Sequence, residues 1–175
     1  MQTTLQAARK ASVLAILAGC AVTPSALASL TSTYQFNGKG NWSIDAVGSN
    51  SSPVGIVEAA VPVGSTVEKA FLYSSRVFNL SAPTIDFDGT VYGAASWTPL
   101  GINVGVLQAF RTDVTTQVKS KIGGGSGARF SFGVNEIDDN GNTDGEVLVV
   151  VYSNPAEVER TIGVLDGFSA STGDS

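Results

Sequence analysis

The chain has 175 residues, a formal net charge of −5 and no histidine. Without histidine, Ser-His-Asp and Cys-His catalysis and most zinc sites are excluded. The acidic balance gains nothing from counter-ion release on phosphates, so no nucleic-acid partner is expected, and a single cysteine leaves no intrachain disulfide.

Met1 to Lys10 is polar and carries Arg9 and Lys10, and Ala11 to Val22 is almost wholly apolar. Pro24 breaks that run, and Ala26-Leu27-Ala28 places small residues where a signal peptidase reads them. Residues 1–28 therefore have the anatomy of a secretory signal peptide. Cleavage between Ala28 and Ser29 leaves 29–175 as a single domain of ordinary size, more acidic still once Arg9 and Lys10 are gone. The expected location is secreted, periplasmic or extracellular. Leu17-Ala18-Gly19-Cys20 also reads as a lipobox. In that alternative Cys20 is lipidated and the protein is an anchored lipoprotein. Release is favoured, because the apolar core before Cys20 is short and Pro24 to Ala28 forms a well-made cleavage region. The run falls short of the ~20 apolar residues of a transmembrane helix, so no membrane span is expected in the mature chain.

The elements follow in chain order. Thr33 to Phe36 is a short strand that Asn37-Gly38 should end as a turn. Trp42 to Val47 places Trp42, Ile44 and Ala46 on one face and Ser43, Asp45 and Val47 on the other. Gly55 to Val61 is a further strand, and Thr66 to Phe78, rich in aromatic and β-branched residues, is a core strand. Ile85 to Phe87, Asp88-Gly89 and Thr90 to Tyr92 make a hairpin. In Asp113 to Ile122 the residues Val114, Val118 and Ile122 recur at i, i+4 and i+8, before Gly123-Gly124-Gly125. This predicts one short helix, with Asp113 at its start and Lys119 and Lys121 near its end. Ala128 to Ile137 alternates, with Phe130, Phe132 and Val134 on one face. Glu146 to Tyr152 is apolar on both faces, as suits a central strand covered on both sides. Thr161 to Leu165 is a last short strand.

Short strands with regular turn signals predict an all-β fold: a two-sheet antiparallel sandwich, jelly-roll-like, with one short helix in a crossover between sheets. A closed barrel is the alternative. Ala170 to Ser175 is polar, with no apolar anchor, so a truncation at the C-terminus is left open.

Four stretches resemble secreted bacterial β-sandwich proteins of the kind that often carry a PEP-CTERM sorting signal: Val67-Glu68-Lys69-Ala70-Phe71-Leu72-Tyr73, Phe87-Asp88-Gly89-Thr90, Phe110-Arg111-Thr112-Asp113-Val114-Thr115, and Asp144-Gly145-Glu146 before the valine run. They fall across residues 60–155, and none is a catalytic motif. The resemblance implies an exported surface or matrix protein of unassigned biochemistry. The sorting tail itself, with Pro-Glu-Pro and a terminal apolar helix, is not in this sequence.

One constellation carries chemistry. Glu136, Asp138, Asp139, Asp144 and Glu146 crowd together, and Asp138, Asn140, Asn142 and Asp144 recur at every second position. Calcium takes six to eight oxygen ligands on a tightly curled loop, and alternate Asp and Asn side chains supply them. Asp138, Asn140, Asn142, Asp144 and Glu146 are thus the candidate calcium ligands. The match to an EF-hand loop is imperfect, since Gly141 comes too early and Glu146 falls at the ninth position rather than the twelfth. The plainer reading is a solvated hairpin tip between two strands. Trp42, Trp97, Tyr34, Tyr73 and Tyr92 offer a sugar-stacking face, although such residues more often fill cores. A glycosidase needs two carboxylates of distinct character, and nothing here separates an acid from a base. No catalytic residues and no obligatory cofactor are expected. The expected protein is a non-catalytic structural or surface component of the envelope, partnered by extracellular polysaccharide or other envelope proteins. The alternative is a carbohydrate-binding module assisted by calcium.

Overall fold

The computed structural model describes residues 30–48, 52–78, 81–101, 106–123, 128–137 and 141–167. Among the described residues ten strands are formed: β1 (Thr31–Gly48), β2 (Val54–Ala60), β3 (Thr66–Arg76), β4 (Thr84–Phe87), β5 (Thr90–Tyr92), β6 (Thr98–Pro99), β7 (Gln108–Asp113), β8 (Arg129–Ile137), β9 (Thr143–Ser153) and β10 (Glu159–Asp166). Helix α1 (Thr115–Ile122) lies between β7 and β8. The strands make a six-stranded sheet in the order β10-β1-β9-β3-β7-β6 and a four-stranded sheet in the order β2-β8-β4-β5. Pairing is nested and antiparallel: β1 with β9, β2 with β8, β3 with β7, and β4 with β5. A chain doubled back on itself in this way and folded into two sheets is the jelly roll that the pattern predicted.

The alternation of each strand explains the core. Leu72, Leu148 and Val150 of the large sheet and Val57, Phe132, Val134, Ile85 and Phe87 of the small one are buried at the interface. Phe87 and Phe132 stack with ring centres 5.3 Å apart. The helix behaves as its spacing predicts: Val114, Val118 and Ile122 pack into the same core, and α1 carries the chain from the large sheet to the small one. Asp113 supports the helix start by accepting the Thr115 N–H at 2.9 Å. Trp97 belongs to the core and donates its Nε1–H to the Tyr92 carbonyl at 3.3 Å.

Two local expectations are corrected. Asn37-Gly38 is no turn, because β1 runs through it with Asn37 and Gly38 paired to Thr161 and Arg160 of β10. The chain bends there instead. Four residues of straight strand span ~13 Å, yet the Phe36 ring comes within 2.6 Å of where a Gly40 Cβ would stand. Nor do β8 and β9 form a hairpin. They lie in different sheets, so residues 138–142 connect one sheet to the other. Phe71 is buried, but on the outer face of the large sheet, under Lys69 and Arg111, whose cations lie 5.4 and 5.1 Å from the ring centre.

All four tyrosines, Tyr34, Tyr73, Tyr92 and Tyr152, have phenol pKa values raised above the ordinary value, first by burial and then by nearby carboxylates. A pKa raised in the folded state means that the neutral phenol is the form the fold accepts. That contribution is complete below the unfolded value of ~10 and is lost as pH rises beyond it. A spectrophotometric titration should therefore place the tyrosinate transition of the folded chain above that of the chain unfolded in denaturant, near pH ~10. Coincident titration of the folded and unfolded chains is the opposing result.

Candidate functional site

The strongest feature outside the core is a groove on the outer face of the six-stranded sheet. Its floor follows from strand register. Trp42, Ile44 and Ala46 of β1 stand opposite Val151, Val149 and Val147 of β9. Direct partners share a face, so six apolar side chains tile the side turned away from the core. Trp42 and Ile44 are 52% and 54% exposed.

The groove exists because β10 folds over that face. In a flat sheet β10 and β3 would lie three spacings apart, ~14 Å. Yet the Tyr73 hydroxyl of β3 donates to Asp166 of β10 at 3.2 Å. Arg111 of β7, one strand further, forms an ion pair with Asp166 and also donates to Thr33 Oγ1 of β1 at 2.7 Å. One guanidinium thus clips both strands of the β1–β10 ribbon above the sheet. Ile162 and Val164 of β10 form the facing wall. Between ribbon and sheet lies a cleft of about 670 Å³, with Arg160 at one end and Asp166 at the other. Arg160 donates to Glu157 at 3.3 Å, longer than the ~2.8 Å of a strong charge-assisted bond. Burial and the adjoining Asp166 carboxylate both hold the Tyr73 phenol neutral.

A second polar feature lies at one end of the core. Ser74, Arg76, Glu136, Thr143 and Glu146 are all buried between the sheets. Ser74 donates to Glu146 Oε1 at 3.2 Å, and Arg76 donates to the Ser81 carbonyl at 2.7 Å. The register slips between Ser75 and Arg76, which pair with Gly145 and Thr143. Asp144 is the extra residue of a β-bulge. The bulge interrupts alternation, so Thr143 and Glu146 both point inward, whereas Asp144 is exposed.

Of the candidate calcium ligands, Asp138 and Asn140 lie outside the described residues, as does the neighbouring Asp139. Asn142 is half-buried, Asp144 is exposed, and Glu146 is inside the core. Asp144 and Glu146 therefore do not share a face. Among the described residues no group of three or more His, Cys, Asp or Glu is placed to hold a metal ion. Cys20, Ala28 and Ser29 also lie outside the described residues. The candidate stacking aromatics are dispersed: Trp42 is on the outer face, Tyr73 is tied to Asp166, and Tyr92 packs edge-on to Phe87 beside Trp97. Among the described residues no helix is long and apolar enough to cross a membrane.

The sequence reading missed the Tyr73–Arg111–Asp166 clip and the cleft it props open. The available signal was that Trp42-Ile44-Ala46 and Val147-Val149-Val151 both present apolar faces. No sequence signal says that these faces adjoin or that a ribbon overhangs them.

The fold and groove together define an all-β jelly-roll sandwich with an apolar outer cleft. Comparison with protein-family models finds no matching model, and comparisons with curated proteins and with solved structures give no significant match.

Proposed function

We propose that this chain is a secreted, non-catalytic surface or matrix protein of the bacterial envelope, of the kind that PEP-CTERM-associated sandwiches represent, and that it works by seating a hydrophobic partner in the outer groove. The observation that carries this reading is the 670 Å³ cleft walled by aliphatic side chains. Contiguous apolar surface gathered in a concave cleft is a usual mark of an interaction or ligand-binding site. The signal-peptide anatomy of residues 1–28 supports export. The absence of histidine, and the engagement of Asp166 by Arg111 and Tyr73, support a binding role over an acid–base one.

The test is fractionation of the exporting cells. Wild type is expected in the envelope or matrix fraction, and Ile44→Glu in the medium with an unchanged melting midpoint, because Ile44 is already half exposed. Equal fractionation of the two proteins removes the groove from the function. The second reading, a carbohydrate-binding module assisted by calcium at Asp138–Glu146, rests on the exposed Trp42. Glycan-array binding that EDTA abolishes and Trp42→Ala removes would move the assignment to it.

A further inference from the structure

Resting on that reading of the groove, we propose that its occupant is a single long-chain fatty acid, with the alkyl tail along β9 and the carboxylate at Arg160.

The floor selects for hydrocarbon. Strand β9 is paired on both sides, with β1 and with β3, so its backbone donors and acceptors are already engaged. Val147, Val149 and Val151 offer only carbon. A sugar or peptide laid there would bury polar groups without partners, which is costly, whereas an alkyl chain gives up nothing and removes its surface from water. The wall has the right extent. From Arg160 to Asp166 β10 runs ~20 Å along the cleft, the span of an extended long acyl chain.

The two ends differ in charge, and that difference orients the ligand. Asp166 is already satisfied by Arg111 and Tyr73, and a second carboxylate there meets repulsion. Among the described residues Arg160 has one long ion pair, to Glu157, which also accepts from Asn41 Nδ2 at 3.4 Å, and its side chain is 35% exposed. A carboxylate head therefore belongs at Arg160, where it takes a charge-assisted bond that Glu157 makes only weakly.

Trp42 provides the readout. Dibromostearate quenches an indole that it touches, and the other tryptophan, Trp97, is buried in the core. Dibromostearate added to purified protein should quench part of the emission, and unlabelled stearate should reverse the effect by competition. Trp42→Phe should lose the quenching. Ile44→Glu should weaken binding about tenfold or more, since it sets a carboxylate against the tail. Arg160→Gln should weaken stearate while leaving stearyl alcohol unchanged. No quenching, or equal quenching of wild type and Ile44→Glu, overturns the fatty acid. So does binding to phosphatidylglycerol vesicles without binding of free stearate, or a wild-type dimer that Ile44→Glu converts to monomer. If quenching fails while Ile44→Glu still leaves the envelope fraction, the occupant is wrong and the groove stands. If neither measurement responds to Ile44→Glu, both readings fall.

Discussion

Arg76→Met should lower the stability of the domain by about 3–5 kcal/mol, the range found when one partner of a buried charged group is removed. Arg76 is the only buried cation among the described residues, and it shares the space between the sheets with Glu136 and Glu146. Its loss removes the one buried cation among the described residues from a region that also buries Glu136 and Glu146, and it strips the hydrogen bond to the Ser81 carbonyl. Methionine fills most of the volume, so the effect reads as charge rather than cavity. Denaturant unfolding measures it, and Glu146→Gln in the Arg76→Met background should recover part of the loss. A cost below ~1 kcal/mol would mean that the cluster contributes no more than an exposed ion pair.

The second large effect is expected at the bulge. Gly145 has φ +148°, and a Cβ there would stand 2.4 Å from the Val47 carbonyl oxygen and 3.1 Å from Gly48 Cα. Both obstacles are backbone of the paired strand β1, which cannot rotate aside as a side chain can. Gly145→Ala therefore combines backbone strain of ~1–3 kcal/mol with overpacking of similar size, for a loss of about 3 kcal/mol or more. The bulge also turns Glu146 inward, so the substitution should disturb the Arg76 cluster as well. The two variants combined should then depart from additivity, as neighbours in one network do. Simple additivity would separate the bulge from the cluster.

Much of the fold was legible because it rests on local periodicity. The valine run of β9, the alternation of Phe130, Phe132 and Val134, and the i, i+4, i+8 spacing of Val114, Val118 and Ile122 each specify a buried face without reference to the rest of the chain. The sandwich and its helical crossover followed from counting such segments. Asn37-Gly38 misled because a good turn dipeptide yields to a strand partner when one is present, and β10 supplies it from more than 120 residues away. The directions of Asp144 and Glu146 were illegible for a related reason. Alternation places Asp144 and Glu146 side by side on paper, but a one-residue bulge separates them, and a bulge depends on the partner strand. The groove was illegible for a simpler reason: it is a relation between β9 and β10, which are not even neighbours in the sheet.

The Arg111 clip has a mechanical consequence. Thr31 and Asp166 are register partners, so the chain enters β1 and leaves β10 at one corner of the domain. A tension drawing the two flanking segments apart would not shear the β1–β10 ladder along its length. It would load the Thr31–Asp166 pair first and peel β10 away one pair at a time, and unzipping of this kind yields at low force. Arg111, which holds Thr33 and Asp166 together, is the first bolt to slip. A domain strung between two anchors through this corner would pay out the length of β10 as slack, while the nested strands of the jelly roll carry no load.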